Sequence, residues 1–177
     1  DNDGTLDVVV GAPRVDGQAV INSKTVVYKD VGRVLAFSGD NGSVLHVFDG
    51  AQALDNFGSA VSLAPKLDND VFADIVVGTA KADRINVVGT KTVKVKDAGT
   101  VSAYSGRVGA PLFSIPGDLA GDYWGAAVDA SGDFNNDGNS DLVIGAWGDD
   151  VPVTVNGKLK LLKNAGRVEV ISGKAAA

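Results

Sequence analysis

"WGAAVDASGDFNNDGNSDLVIGAW", residues 124–147, decides the fold. It joins a near-alternating run, Trp124 to Ser131, to a continuously apolar run that opens at Leu142. Between them lies a loop of oxygen-bearing side chains around Gly138. Alternation marks a half-covered strand, and a short unbroken apolar run marks a strand buried on both faces. The stretch therefore reads as strand, polar loop, buried strand.

The same frame recurs, and a fixed period decides architecture before any single element does. Asp7, Asp74 and Asp141 precede "VVVGAP", "IVVGTA" and "LVIGAW" at intervals of 67 residues. "GRVLAFSG", "GTVSAYSG" and "GRVEVISG" open at Gly32, Gly99 and Gly166 with the same interval, and Phe57-Gly58 matches Trp124-Gly125. No insertion or deletion breaks the register. Each unit reads as four short strands, the fourth being "SVLHVFDG" or "APLFSIPGD". A four-stranded antiparallel sheet packed between two neighbours describes a β-propeller blade. A sheet-on-sheet solenoid has the same periodicity. The expected fold is all-β: a first blade over 1–50 without its first strand, a second over 51–117, and a third over 118–177 without its last. Such a ring is incomplete, and the missing strands must come from further chain or another copy. The closing residues 174–177, "KAAA", carry no turn or strand signal.

The connection from second to third strand is long, and a structureless loop of that size is out of place in a compact domain. It holds strand signals of its own: "AVINSKTVVYK", "INVVGTKTVKVK" and "VPVTVNGKLKLLK". Asn156-Gly157 is a two-residue hairpin signal. An extra β-hairpin is expected on each unit. Its lysines, among them Lys91, Lys94, Lys96, Lys158, Lys160 and Lys163, read as charges that protect exposed strand edges, with a ligand-facing basic patch as the alternative.

Composition narrows the partners. A net charge of −6 opposes binding to a phosphate backbone, which needs a basic face. No cysteine is present, so disulfides, thiolate metal sites and cysteine nucleophiles are excluded. No apolar run approaches the roughly 18 residues that cross a membrane. The chain has no methionine and opens at Asp1 inside a motif, so it reads as a piece of a longer protein.

A hard cation such as Ca²⁺ takes six to eight oxygens from carboxylates, amide oxygens and main-chain carbonyls. Asp133, Asn135 and Asp137 occupy alternate positions, Asn139 offers its carbonyl, and Asp141 closes the loop. Gly138 permits the sharp turn. In unit one Asp1, Asp3, the Thr5 carbonyl and Asp7 align with Asn135, Asp137, Asn139 and Asp141, and the first ligand would precede Asp1. In unit two Asp68, Asp70 and Asp74 remain, but Lys66 replaces the first carboxylate and Val71 the glycine. A β-branched residue is disfavoured at positive φ, so this loop is expected to run differently. Lys66 is expected to neutralise the carboxylates, leaving a weak or absent metal site. The bland alternative at all three is an Asx turn.

"NFGSAVSLA", "DNDGTLDVVVGAP" and residues 124–147 resemble FG-GAP repeats, the blades of the integrin α-subunit propeller and of related bacterial proteins. The resemblance covers essentially the whole chain. It implies Ca²⁺ between the first and second strands of a blade. Lys66, Val71, Trp124, Thr79-Ala80 and Ala146-Trp147 depart from the family pattern.

The function this implies is an extracellular or cell-surface, calcium-stabilised binding or adhesion module. Its partners would be a protein or glycan ligand, or further copies of the same repeat, with no nucleic acid and no membrane insertion. A structural repeat scaffold of a surface fibre or sheath is the alternative. Another is the non-catalytic propeller part of an extracellular polysaccharide- or lipid-acting enzyme. No nucleophile–base pair stands out and no catalytic residue is expected. The lone His46 reads as structural.

Overall fold

Short valine-rich runs punctuated by glycine fold as short strands, because branched side chains suit the pleat and glycine the turns. A computed structural model describes residues 1–68 and 70–173, so the closing "KAAA" lies outside the described residues. Unit one contains β1 (Val8–Ala12), β2 (Gly17–Ile21), β3 (Lys24–Tyr28), β4 (Arg33–Phe37) and β5 (Val44–Asp49). Unit two contains β6 (Ala60–Ala64), β7 (Asp74–Thr79), β8 (Arg84–Val88), β9 (Lys91–Val95), β10 (Thr100–Tyr104) and β11 (Pro111–Pro116). Unit three contains β12 (Ala127–Gly132), β13 (Asp141–Ala146), β14 (Val151–Val155), β15 (Lys158–Leu162) and β16 (Arg167–Ile171).

The strands form the expected blade-like sheets, and they do not close into a barrel. Unit two is a four-stranded meander in the order β6-β7-β10-β11. Unit one pairs β1-β4-β5, and unit three pairs β12-β13-β16. Among the described residues all strand pairings are antiparallel, with Val61 opposite Val77 and Val101 opposite Gly78 in unit two, and isolated parallel bridges join Gly32 to Phe57 and Gly99 to Trp124. The register shift at Ala103/Tyr104 repeats that at Ala36/Phe37, so the period extends to the bulges. Between second and third strands stand the hairpins β2-β3, β8-β9 and β14-β15. The last turns at Asn156 (φ 51°) and Gly157 (φ 72°), both in the left-handed region that a two-residue hairpin loop needs.

Glycine fixes how the sheets stack. A Cβ at Gly11 would lie 2.1 Å from the Gly58 carbonyl oxygen, and one at Gly78 2.1 Å from that of Gly125. Only glycine permits these backbones to meet. The core lies in the two seams so formed. Val34, Phe57, Ile75 and Val77 fill the first, and Val76, Val101, Trp124, Leu142 and Ile144 the second. Alternate residues of β7 thus serve opposite seams, and all six are buried. The expectation that every second strand is buried on both faces needs correcting. β1 exposes Val8 and Val10, and β13 is covered on one side, because each has a neighbouring sheet on one face only.

Candidate metal centre

The acidic loops lie where the period puts them, leading into the first residues of β13, β7 and β1. In unit three the loop is held by a ladder of side-chain acceptors. Asp137 N–H donates to Asn135 Oδ1 at 2.8 Å, and Asn139 N–H to Asp137 Oδ1 at 3.0 Å. Gly138, at φ 88°, turns its N–H onto Asp133 Oδ2 at 2.9 Å. Asp141 is buried; its Oδ2 accepts from Phe134 and Asn135, and its Oδ1 from Gly173 N–H at 3.2 Å. The Asn139 amide and other donors hold the Asp137 carboxyl below the usual carboxylate range. These are Asx turns: both oxygens of Asp141 and Oδ1 of Asp137 each accept two bonds, whereas both oxygens of Asp133 and Oδ2 of Asp137 accept one and keep a lone pair. The donor set is entirely oxygen, and it fits a hard divalent cation.

The ladder recurs in unit one, where Asp3 N–H donates to Asp1 Oδ1 at 3.2 Å and Thr5 N–H to Asp3 Oδ1 at 2.7 Å. Asp7 Oδ1 accepts from the Gly39 N–H at 3.2 Å. Gly4 takes φ 93°, in the same positive-φ region as Gly138.

Unit two keeps the ladder as well, with Asp70 N–H on Asp68 Oδ1 at 2.9 Å and Phe72 N–H on Asp70 Oδ1 at 2.8 Å. Val71 is absent from the described residues with positive φ, so the backbone departs there as steric reasoning requires. Among the described residues, Asp68, Asp70 and Asp74 alone form a trio in which one carboxylate oxygen of each lies within 4.8 Å of the other two. Burial foremost raises the Asp74 pKa, against the N–H groups of Leu67, Gly106 and Asp68. The expected neutralisation by Lys66 is corrected. Among the described residues no ion pair joins its ammonium to these carboxylates. Its main chain instead exchanges hydrogen bonds with Ser140 of unit three: N–H to Oγ at 3.1 Å, and carbonyl from N–H at 2.7 Å. The side chain is left exposed.

Two repeated roles escaped the sequence reading. The closing aspartate also tethers its loop to the end of the third strand, since Asp7, Asp74 and Asp141 accept from the N–H of Gly39, Gly106 and Gly173. Asp16, Asp83 and Asp150 pin the hairpin bases, accepting from the N–H of Asp30, Asp97 and Asn164 at 3.0, 2.8 and 3.0 Å. Each also pairs with a hairpin lysine: Lys29, Lys94 or Lys163. The 67-residue spacing of both sets was the available signal. His46 joins units one and two, its Nε2 lying 2.6 Å from the Gly106 carbonyl oxygen.

No protein-family model matches the chain. It is 28% identical to integrin alpha-2 of Bos taurus over 133 residues, 68% of this chain. It is also 28% identical to integrin alpha-5 of Xenopus laevis over 177 aligned residues, 89% of this chain. The chain spans 10% and 15% of these relatives' lengths. Among the described residues, no helix is long and apolar enough to cross a membrane.

Proposed function

We propose that the chain is part of an extracellular, calcium-stabilised binding or adhesion module built from FG-GAP-type blades, with blade boundaries at 50/51 and 117/118. The observation that carries the reading is the unit-three loop, where Asp133, Asn135, Asp137 and Asp141 are curled around one another by hydrogen bonds of 2.8–3.3 Å. The similarity to integrin α subunits supports a module that engages partners outside the cell. A folded acidic loop concentrates like charge, and a divalent cation relieves it. Units three and one are the proposed calcium sites. Unit two is the weaker one: its trio is compact, but it lacks the first carboxylate and the glycine turn. The module is proposed as non-enzymatic.

Mass action sets the size of the effect. A hundredfold excess of Ca²⁺ over its Kd stabilises by about 2.7 kcal/mol per site. For a chain of this length, two sites raise the unfolding midpoint by on the order of 10 °C. Thermal unfolding in calcium and in chelator measures this. Asp133→Asn with Asp137→Asn should remove about half of the rise. Equal midpoints in calcium and chelator would discard the proposal.

A structural scaffold is the second reading, and the outer face of β13 favours it. A Cβ at Gly145 meets only its own sheet, Ala127 Cβ at 3.4 Å, where Gly11 and Gly78 meet a neighbouring unit. That face suits a further copy of the repeat. Sedimentation across a concentration series tests it; a monomer at every concentration counts against it.

A further inference from the structure

Three departures from the repeat meet in one cleft. Trp147 stands where the earlier units carry Pro13 and Ala80, Tyr123 where unit two carries Asn56, and Leu54 where unit three carries Gly121. All three line a cleft of about 450 Å³, a size suited to a small ligand. The acidic loops lead into the N-terminal ends of β1, β7 and β13; the cleft gathers residues that follow the C-terminal ends of the same strands.

Two of the departures are held against local preference. Tyr123 takes φ 56° and Leu54 φ 71°, a region where a Cβ crowds the backbone. Their counterparts are an asparagine at φ 58° and a glycine at φ 81°, which tolerate it. Bulky residues kept in such conformations concentrate at binding sites. Trp147 stacks on Tyr123 with ring centroids 4.1 Å apart and planes 10° from parallel, yet is 58% exposed. A flat aromatic platform is thus held rigid and open.

The rim supplies charge. Arg14 and Lys81 occupy the same repeat position and are both exposed. Among the described residues neither makes an ion pair, although the chain carries a net charge of −6. Asn56 donates Nδ2 to the Pro13 carbonyl at 3.0 Å, which leaves Oδ1 as an acceptor, and Asp30 lines the same cleft.

We propose that this cleft binds an acidic saccharide. One pyranose face packs on the Trp147 indole, the carboxylate pairs with Arg14 and Lys81, and ring hydroxyls donate to Asn56 and Asp30. Guanidinium–carboxylate pairs are strong and directional. An acidic peptide would be drawn by the same cations but has no flat C–H face for the indole. The assignment rests on the reading of the chain as a binding module and is independent of calcium.

The test is a calorimetric and tryptophan-fluorescence titration of the full 177-residue chain. The probe is a hyaluronan tetrasaccharide, whose uronate carboxyls are compared with their methyl esters. Saturable binding is expected, with fluorescence change from Trp147. Affinity should fall at least tenfold for the ester, for Trp147→Ala, for Tyr123→Asn, and for Arg14→Ala with Lys81→Ala. Trp147→Ala and Tyr123→Asn install residues that unit two already carries, and asparagine relieves the strain at φ 56°, so unfolding midpoints should hold or rise while binding is lost. No saturation, equal binding of the ester, unaffected variants, or equal affinity for tetraglutamate overturns the proposal. Calcium-dependent stabilisation without saccharide binding removes this assignment alone. Saccharide binding without calcium-dependent stabilisation removes only the calcium reading.

Discussion

Leu54 and Asp55 are adjacent, and each is held in a state that the isolated residue would avoid. Leu54 is exposed at positive φ, so little burial offsets its backbone strain. Leu54→Gly adopts the residue of unit three and should stabilise the chain by about 0.5–1 kcal/mol, the relief of strain less the entropy of glycine. Chemical denaturation measures it, and an unchanged or lower stability would remove the claim of strain. Burial foremost, and then the Asp83 carboxylate, push the Asp55 pKa up to about 6, with Asp97 adding to and Lys94 opposing the shift. The folded pKa exceeds the unfolded one, so Asp55 contributes stability that is present below about pH 4 and lost as pH rises through 6. Asp55→Asn should therefore gain stability relative to wild type at pH 7 and lose that advantage at pH 4. Unfolding midpoints across this range read the crossing.

At the scale of elements, the acidic loops and the hairpins share a construction in which a side-chain carboxylate replaces a missing backbone partner. The loop ladder forms in unit two without its glycine, as the Asp70 and Phe72 bonds demonstrate. The ladder therefore depends on Asp and Asn spacing, whereas the turn depends on residue 71 or its equivalent. Lys66→Asp with Val71→Gly supplies both absent features of unit two. The pair should add one calcium equivalent to the stoichiometry measured by calorimetry. Unchanged stoichiometry would mean that the donor count does not limit this loop. The hairpins were legible from Asn156-Gly157 and from their alternation. Their pins at Asp16, Asp83 and Asp150 were not singled out, because an isolated aspartate before a strand looks like any turn residue.

Across the whole molecule, the seams between sheets depend on absent side chains. Gly78→Ala would drive a Cβ to 2.1 Å from the Gly125 carbonyl oxygen and force two sheets apart. The expected loss is about 2–3 kcal/mol, by overpacking. Gly145→Ala meets an ordinary 3.4 Å contact within its own sheet and should change stability by no more than about 0.5 kcal/mol. Equal effects at the two sites would contradict the open face on β13. That face carries exposed Val168 beside Trp147 and Arg167.

The sequence by itself determined the period, the antiparallel four-strand unit, the extra hairpins and the positions of the acidic loops. All of these follow from local alternation, turn chemistry and a spacing of 67 residues. The tertiary structure decided which faces are covered. β1, β7 and β13 carry nearly the same apolar pattern, yet only β7 has neighbours on both sides. It also decided that the Lys66 side chain stays out of the carboxylate trio, since the main chain around it is bonded to Ser140, 74 residues away. The cleft at Trp147 belongs to the same class. Leu54, Tyr123 and Trp147 are separate departures along the chain, and only the stacking of three units brings them to one wall. Local pattern specifies how each strand pairs within its sheet, but contacts between sheets join residues whose spacing carries no local signal.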